Sequence, residues 1–134
     1  MKTAVIYWSG TGNTEALAKA AAEGANAELF TVGEFSGNVA DYEALCFGCP
    51  AMGAEVLEED EFEPFFTNAE GSLSGKKVLL FGSYGWGDGE WMRNWTERTQ
   101  AAGAEIVGGE GFIVNEAPSD DDLAKIKELA SQLA

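Results

Sequence analysis

Three short stretches concentrate the residues whose types and spacing could do chemistry: Ser9-Gly10-Thr11-Gly12-Asn13-Thr14, Pro50-Ala51-Met52-Gly53-Ala54-Glu55 and Ser83-Tyr84-Gly85-Trp86-Gly87-Asp88-Gly89. The first offers two glycines that permit close backbone approach, three hydroxyls and an amide, just ahead of a helical run. Neutral donors in that position suit a phosphate, held by the amides and dipole of a helix N-terminus. An ordinary turn with an N-cap is the plainer reading of a lone Gly-x-Gly, and the density of hydroxyls weighs against it. No Lys-Ser or Lys-Thr closes the stretch, and Glu15 stands where a dinucleotide fingerprint has its third glycine, so nucleoside triphosphates and NAD are both disfavoured. In the third stretch, Trp86 is flanked by glycines and has little local chain to bury it, which suits a planar ligand. Gly53 reads equally well as a turn residue. The acids Glu58, Glu59, Asp60, Glu61 and Glu63 that follow the second stretch read first as a solvated face.

Other chemistries are removed by what the chain lacks. With no histidine there is no imidazole acid–base pair, no Ser-His triad and no His-ligated metal. Cys46-Phe47-Gly48-Cys49 has the redox spacing but falls at the end of a strand-like run, where no helix N-terminus would stabilise a thiolate. Ordinary buried thiols without a disulfide are expected.

The elements that must position these stretches alternate along the chain. Strand-like runs are Thr3 to Tyr7, Ala27 to Val32, Ala44 to Gly48, Lys77 to Gly82 and a fifth between Glu105 and Val114, whose Gly108, Gly109 and Gly111 suggest a bulge or break. Helical runs are Thr14 to Glu23, stopping at Gly24, then Phe62 to Ala69, then Glu90 to Ala102, ending at Gly103. The last helix starts at a cap-like Ser119 and Asp122 and carries Leu123, Ile126, Leu129, Ala130 and Leu133 at helical spacing. Gly33 to Tyr42 supports only a weak or short helix. Such alternation predicts a parallel sheet covered by helices on both faces, and in open sheets of that kind ligands bind beyond the carboxyl ends of the strands. All three stretches lie at such ends.

A chain of 134 residues with 46% hydrophobic residues suits one domain over residues 1–134. Eight basic residues against 23 acidic ones give a net charge of −15, which repels nucleic acid and anionic membrane surfaces and leaves basic protein partners open. There is no apolar run of membrane-spanning length and no signal-peptide core at the start, so a cytoplasmic location is expected.

Taken together, Tyr7-Trp8-Ser9-Gly10-Thr11-Gly12-Asn13-Thr14-Glu15, Ala51-Met52-Gly53 with Glu55, Glu61-Phe62-Glu63-Pro64-Phe65 and Phe81-Gly82-Ser83-Tyr84-Gly85-Trp86-Gly87 closely resemble the flavodoxins, specifically the short-chain type of anaerobic bacteria. The resemblance spans essentially the whole chain. It implies a doubly wound α/β fold of five parallel strands in the order 2-1-3-4-5, one noncovalent FMN, and single-electron transfer between redox proteins, basic-surfaced or ferredoxin-interacting oxidoreductases, by a monomer that turns over no substrate.

Carried across by the same resemblance, the cofactor-binding set is Ser9, Gly10, Thr11, Gly12, Asn13, Thr14, Pro50, Ala51, Met52, Gly53, Ala54, Glu55, Ser83, Tyr84, Gly85, Trp86, Gly87 and Asp88. Ser9, Thr11, Asn13 and Thr14 would donate to the FMN phosphate, Trp86 and Met52 would cover the two flavin faces, and Glu55 would accept from flavin N3. Backbone amides of Gly85, Trp86 and Gly87 would reach the pyrimidine edge, and the Gly53 carbonyl would turn toward N5 on reduction. Pro50 stands where some relatives have a phosphate-binding Ser, and Ala54 where some have a polar residue.

The charge pattern agrees with such a role. A unit charge about 10 Å from the flavin, at an effective dielectric of about 20, opposes an added electron by about 1.7 kcal/mol, on the order of 70 mV. Loops rich in carboxylates and without cations therefore predict a strongly reducing carrier. The alternative is a flavodoxin-like NAD(P)H-dependent flavin or quinone reductase, which needs a second pocket for which the short chain shows no insertion. A phosphoreceiver domain is excluded, since Trp8-Ser9 and Pro50-Ala51 stand where it needs acids.

Overall fold

The computed structural model describes residues 2–52 and 55–133. The apolar runs become parallel strands β1 (Thr3–Tyr7), β2 (Glu28–Thr31), β3 (Ala44–Gly48), β4 (Lys77–Tyr84) and β5 (Glu105–Ile106), in the spatial order β2-β1-β3-β4-β5. The expected fifth strand is split. Its halves, β5 and β6 (Phe112–Asn115), pair with the start and the end of β4, and Gly108 and Gly109, both with positive φ, carry the chain around the gap between them. β4 runs two residues beyond the expected Gly82, because Ser83 and Tyr84 pair with Val114 and Asn115 of β6.

Strand side chains alternate between two cores, which is why the strands read as continuous apolar runs. Ile6, Phe47 and Leu80 face one layer with Phe62 and Phe66 of α2 (Phe62–Ala69) and Trp91 and Trp95 of α3 (Glu90–Ala101). Val5, Cys46 and Leu79 face the other, with Leu17 and Ala21 of α1 (Asn13–Ala25) and Ile126 of α4 (Asp120–Ala130). Cys46 and Cys49 belong to opposite layers, both as free thiols. Burial pushes the Cys49 thiol up to about 12 and raises Cys46 still more, so neither is a ready nucleophile at neutral pH.

One helix expectation is corrected. α1 does not stop at Gly24. It runs on to Ala25, and Asn26 takes the left-handed conformation at φ 53° while Ala27 N–H returns to the Ala22 carbonyl. Gly24 serves packing instead, since a Cβ there would collide with the Lys127 carbonyl of α4. The stretch from Gly33 to Tyr42 forms only one 3-10 turn, Val39–Asp41, capped by the Asn38 side chain on Ala40 N–H. α4 begins as expected with a reciprocal capping box between Ser119 and Asp122.

Candidate functional site

β1 has β2 on one side and β3 on the other, so the chain leaves β1 and β3 in opposite directions and opens a crevice at their carboxyl ends. A cleft of about 420 Å³ lies there, and its walls include Trp8, Gly10, Thr11, Asn13, Pro50, Ala51, Met52, Ser83, Tyr84, Gly85 and Glu116. All three chemistry-bearing stretches therefore meet. Trp8 and Glu116 line the cleft without having been expected as site residues. The signal for Glu116 was its place just after the last strand-like run, and β6 pairing beside the end of β4 brings it in.

The loop after β1 is shaped by Gly12, which caps α1 at φ +96°, a conformation costly for any residue with a Cβ. Gly12 offers no side-chain cap, and Ser9 Oγ instead accepts the N–H groups of Gly12 (3.1 Å) and Glu15 (3.2 Å). Thr14 is buried, its hydroxyl 3.1 Å from Ser83 Oγ. On the outer side Ser9, Gly10, Thr11 and Gly12 border a second hollow with Tyr7, Glu15 and Glu61, and Lys19 lies 3.8 Å from Glu15.

The loop after β3 is closed by two antiparallel backbone bonds, Met52 N–H to the Val56 carbonyl (2.9 Å) and Val56 N–H to the Met52 carbonyl (3.1 Å). Glu55, at φ 56°, sends its carboxylate to the Gly89 N–H at 3.3 Å, beside Gly87. Gly53 and Ala54 lie outside the described residues. In the loop after β4, Trp86 is 63% exposed, the most exposed large apolar side chain described. Asp88 is not free. Arg93 of α3 reaches its carboxylate at 3.1 Å and its carbonyl at 2.9 Å, bringing a cation to a loop that has none of its own.

The acid run divides in two. Glu58 is only 6% exposed, and its carboxylate accepts the N–H groups of Asp60, Glu61 and Phe62 at 2.8 to 3.0 Å, capping α2. Burial works to raise its carboxyl, yet these three bonds hold it below the ordinary carboxylate range. Glu63 forms a bidentate pair with Arg98 at 2.7 and 2.8 Å and is likewise held low, chiefly by that guanidinium. Glu59, Asp60 and Glu61 remain exposed.

A family model described as flavodoxin matches residues 5–129. The chain belongs to the flavodoxin family. It is 48% identical to a flavodoxin of Megasphaera elsdenii over 97% of this chain and 96% of that protein, and 46% identical to one of Clostridium beijerinckii over 84% and 86%. In three dimensions it matches the two-electron reduced Megasphaera elsdenii flavodoxin with a TM-score of 0.83, at 39% identity in that superposition, over 97% of this chain and 98% of the other. As a flavodoxin it is an electron-transfer protein, and its cofactor is FMN. The residues present suit that cofactor. The cleft has hydroxyl and amide groups from Thr11 and Asn13 at one side and the apolar surfaces of Pro50, Ala51, Met52 and Tyr84 elsewhere, with the unpacked indole of Trp86 one residue beyond Gly85.

Proposed function

We propose that the loops after β1, β3 and β4 hold one FMN noncovalently and that the chain serves as a low-potential single-electron carrier between redox proteins. The observation that carries this reading is Trp86, a 63% exposed indole in a glycine loop beside a cleft with hydroxyl-rich and apolar walls. Covering so large an exposed aromatic surface with a planar ring is favourable. FMN, when bound, supplies the one-electron redox chemistry.

The chain's own residues bind, orient and set the electrostatics. Ser9, Thr11, Asn13 and Thr14, with the backbone of Gly10, present donors to the phosphate, and Gly12 turns the loop. Met52 and Trp86 cover the two ring faces and exclude water, and Pro50, Ala51, Ser83 and Tyr84 complete the walls. Glu55 and the amides of Gly85, Trp86 and Gly87 serve the polar edge of the ring. Gly53 and Ala54 belong to the same loop in this reading. The Asp88 charge is offset by Arg93, whereas Glu55 and the cleft-lining Glu116 keep the surroundings anionic and favour a reducing carrier. The relatives' own designation as flavodoxins favours the carrier over the reductase alternative.

Partners with basic surfaces suit the exposed Glu59, Asp60 and Glu61. Among the described residues no helix is long and apolar enough to cross a membrane, and a monomeric single domain over residues 1–134 in the cytoplasm is the accompanying reading. The visible spectrum of the purified protein tests the proposal, with the yellow absorption of oxidised flavin expected. Apo-protein that takes up no FMN on titration would overturn it.

A further inference from the structure

Ser83 is bonded to all three parts of the site. Its carbonyl oxygen accepts the Ala51 N–H at 3.0 Å, from the loop after β3. Its own N–H donates to Thr14 Oγ1 at 3.4 Å, and its Oγ lies 3.1 Å from the same oxygen, in the first turn of α1. Ser83 itself is the penultimate residue of β4, just ahead of the Trp86 loop. Both hydroxyls are buried, Thr14 being 1% exposed and Ser83 5%.

The direction of the hydroxyl pair matters because a hydroxyl has one proton and two lone pairs. A Thr14 hydroxyl that gave its proton to Ser83 would have none for an anion. When Ser83 donates from both its N–H and its hydroxyl, the lone pairs of Thr14 Oγ1 are filled and its proton is left for a third partner. The loop after β1 holds no Lys or Arg, so an anion there depends on neutral donors, and a hydrogen bond to an anion is stronger than one between neutral groups. Bonds accepted by Thr14 Oγ1 also polarise its O–H and make it a better donor.

We propose that Ser83 is a positioning residue for phosphate recognition: it donates twice to Thr14 Oγ1 and so reserves the Thr14 proton for the phosphate of the flavin nucleotide. The inference rests on the FMN reading above. It separates two roles within one wall of the cleft, since Ser83 acts on the phosphate through Thr14 while Trp86, three residues later, acts on the ring.

The test compares FMN with riboflavin, which has the same ring and no phosphate, by fluorescence titration of the apo-protein. Ser83→Ala is expected to weaken FMN binding about five- to tenfold, the worth of one hydrogen bond, and to weaken riboflavin binding by a distinctly smaller factor. Because both ligands are measured on the same variant, a general loosening of the fold cancels in their ratio. Thr14→Val is expected to lose FMN affinity at least as much, and adding Ser83→Ala to it to cost nothing more. Ser83→Cys, which keeps the volume with a weaker donor, is expected to fall between wild type and Ser83→Ala. Equal losses of FMN and riboflavin in Ser83→Ala, or additive losses in the double variant, would overturn the positioning role while leaving the FMN reading intact. Wild-type apo-protein that binds riboflavin as tightly as FMN, or neither, would overturn the reading itself.

Discussion

Glu55 Oε1 accepts the Gly89 N–H at 3.3 Å, so a carboxylate from the loop after β3 is fastened to the turn that begins α3. The two loops that flank the cleft are thereby held at a fixed separation, and the charge of Glu55 is kept beside Gly87. Glu55→Gln keeps an acceptor oxygen for Gly89 and removes the charge, whereas Glu55→Ala removes both. Apo-protein titrations are expected to show FMN binding weakened by about 1 to 2 kcal/mol in Glu55→Gln and by more in Glu55→Ala. Equal effects of the two substitutions would mean that the tie to Gly89 contributes nothing to binding.

Trp86 is expected to be worth more to the holoprotein than to the fold. Trp86→Ala removes a side chain that is 63% exposed, so the melting temperature of the apo-protein is expected to stay within a few degrees of wild type. FMN affinity is expected to drop by about 1 to 3 kcal/mol, the range for stacking an aromatic on a base-like ring. An unchanged dissociation constant would place Trp86 outside the site.

In the proposed reading, the exposed Glu59, Asp60 and Glu61 are expected to steer partners. Converting all three to their amides is expected to slow electron transfer to a basic acceptor at low salt and to flatten its dependence on ionic strength. Stopped-flow rates across a salt series check this, and a variant with the wild-type salt slope would locate docking elsewhere. Glu58→Gln serves as the control that leaves the slope unchanged, because that carboxylate is turned inward onto three backbone amides.

Glu58 and Glu63 are expected to govern acid stability. Both carboxyls are held below their ordinary value in the fold, so each contributes stability that is whole above about pH 4.5 and is lost as pH falls through the lowered value. Melting curves of the apo-protein are expected to fall steeply below that pH. The deficit of Glu58→Gln relative to wild type is expected to be largest at pH 7 and to shrink as pH falls through the lowered value, where the wild-type carboxyl takes up its proton. A deficit independent of pH would show that capping of α2 does not depend on the charge.

Much of the molecule was legible from sequence because its signals are local. β3 and α2 occupy the expected residues, Ala44–Gly48 and Phe62–Ala69, since a short apolar run and a helical face each declare themselves within a few residues. The three loops were legible for a related reason. In a parallel sheet every strand ends at the same side, so chemistry placed after β1, β3 and β4 must converge whatever the details of packing. The resemblance to flavodoxins rests on those same loops.

What only the tertiary structure decided depends on partners far away in the chain. Gly24 looks like a helix stop, and only the approach of Lys127, 103 residues later, shows it to be a point of contact between α1 and α4. Glu58 reads as one more surface acid until the start of α2 folds back to give it three amides, and Glu63 until Arg98 of the next helix reaches it. The loop after β4 has no cation of its own, yet the first turns of α3 carry Arg93 back onto Asp88. Thr14 and Ser83 are 69 residues apart, and their hydroxyls meet only because β1 and β4 end on the same side of one sheet. Helix and strand propensity act between neighbours along the chain, but a hydrogen bond or a close backbone contact is decided over a few ångströms of space, and only the packed fold brings such residues within that distance.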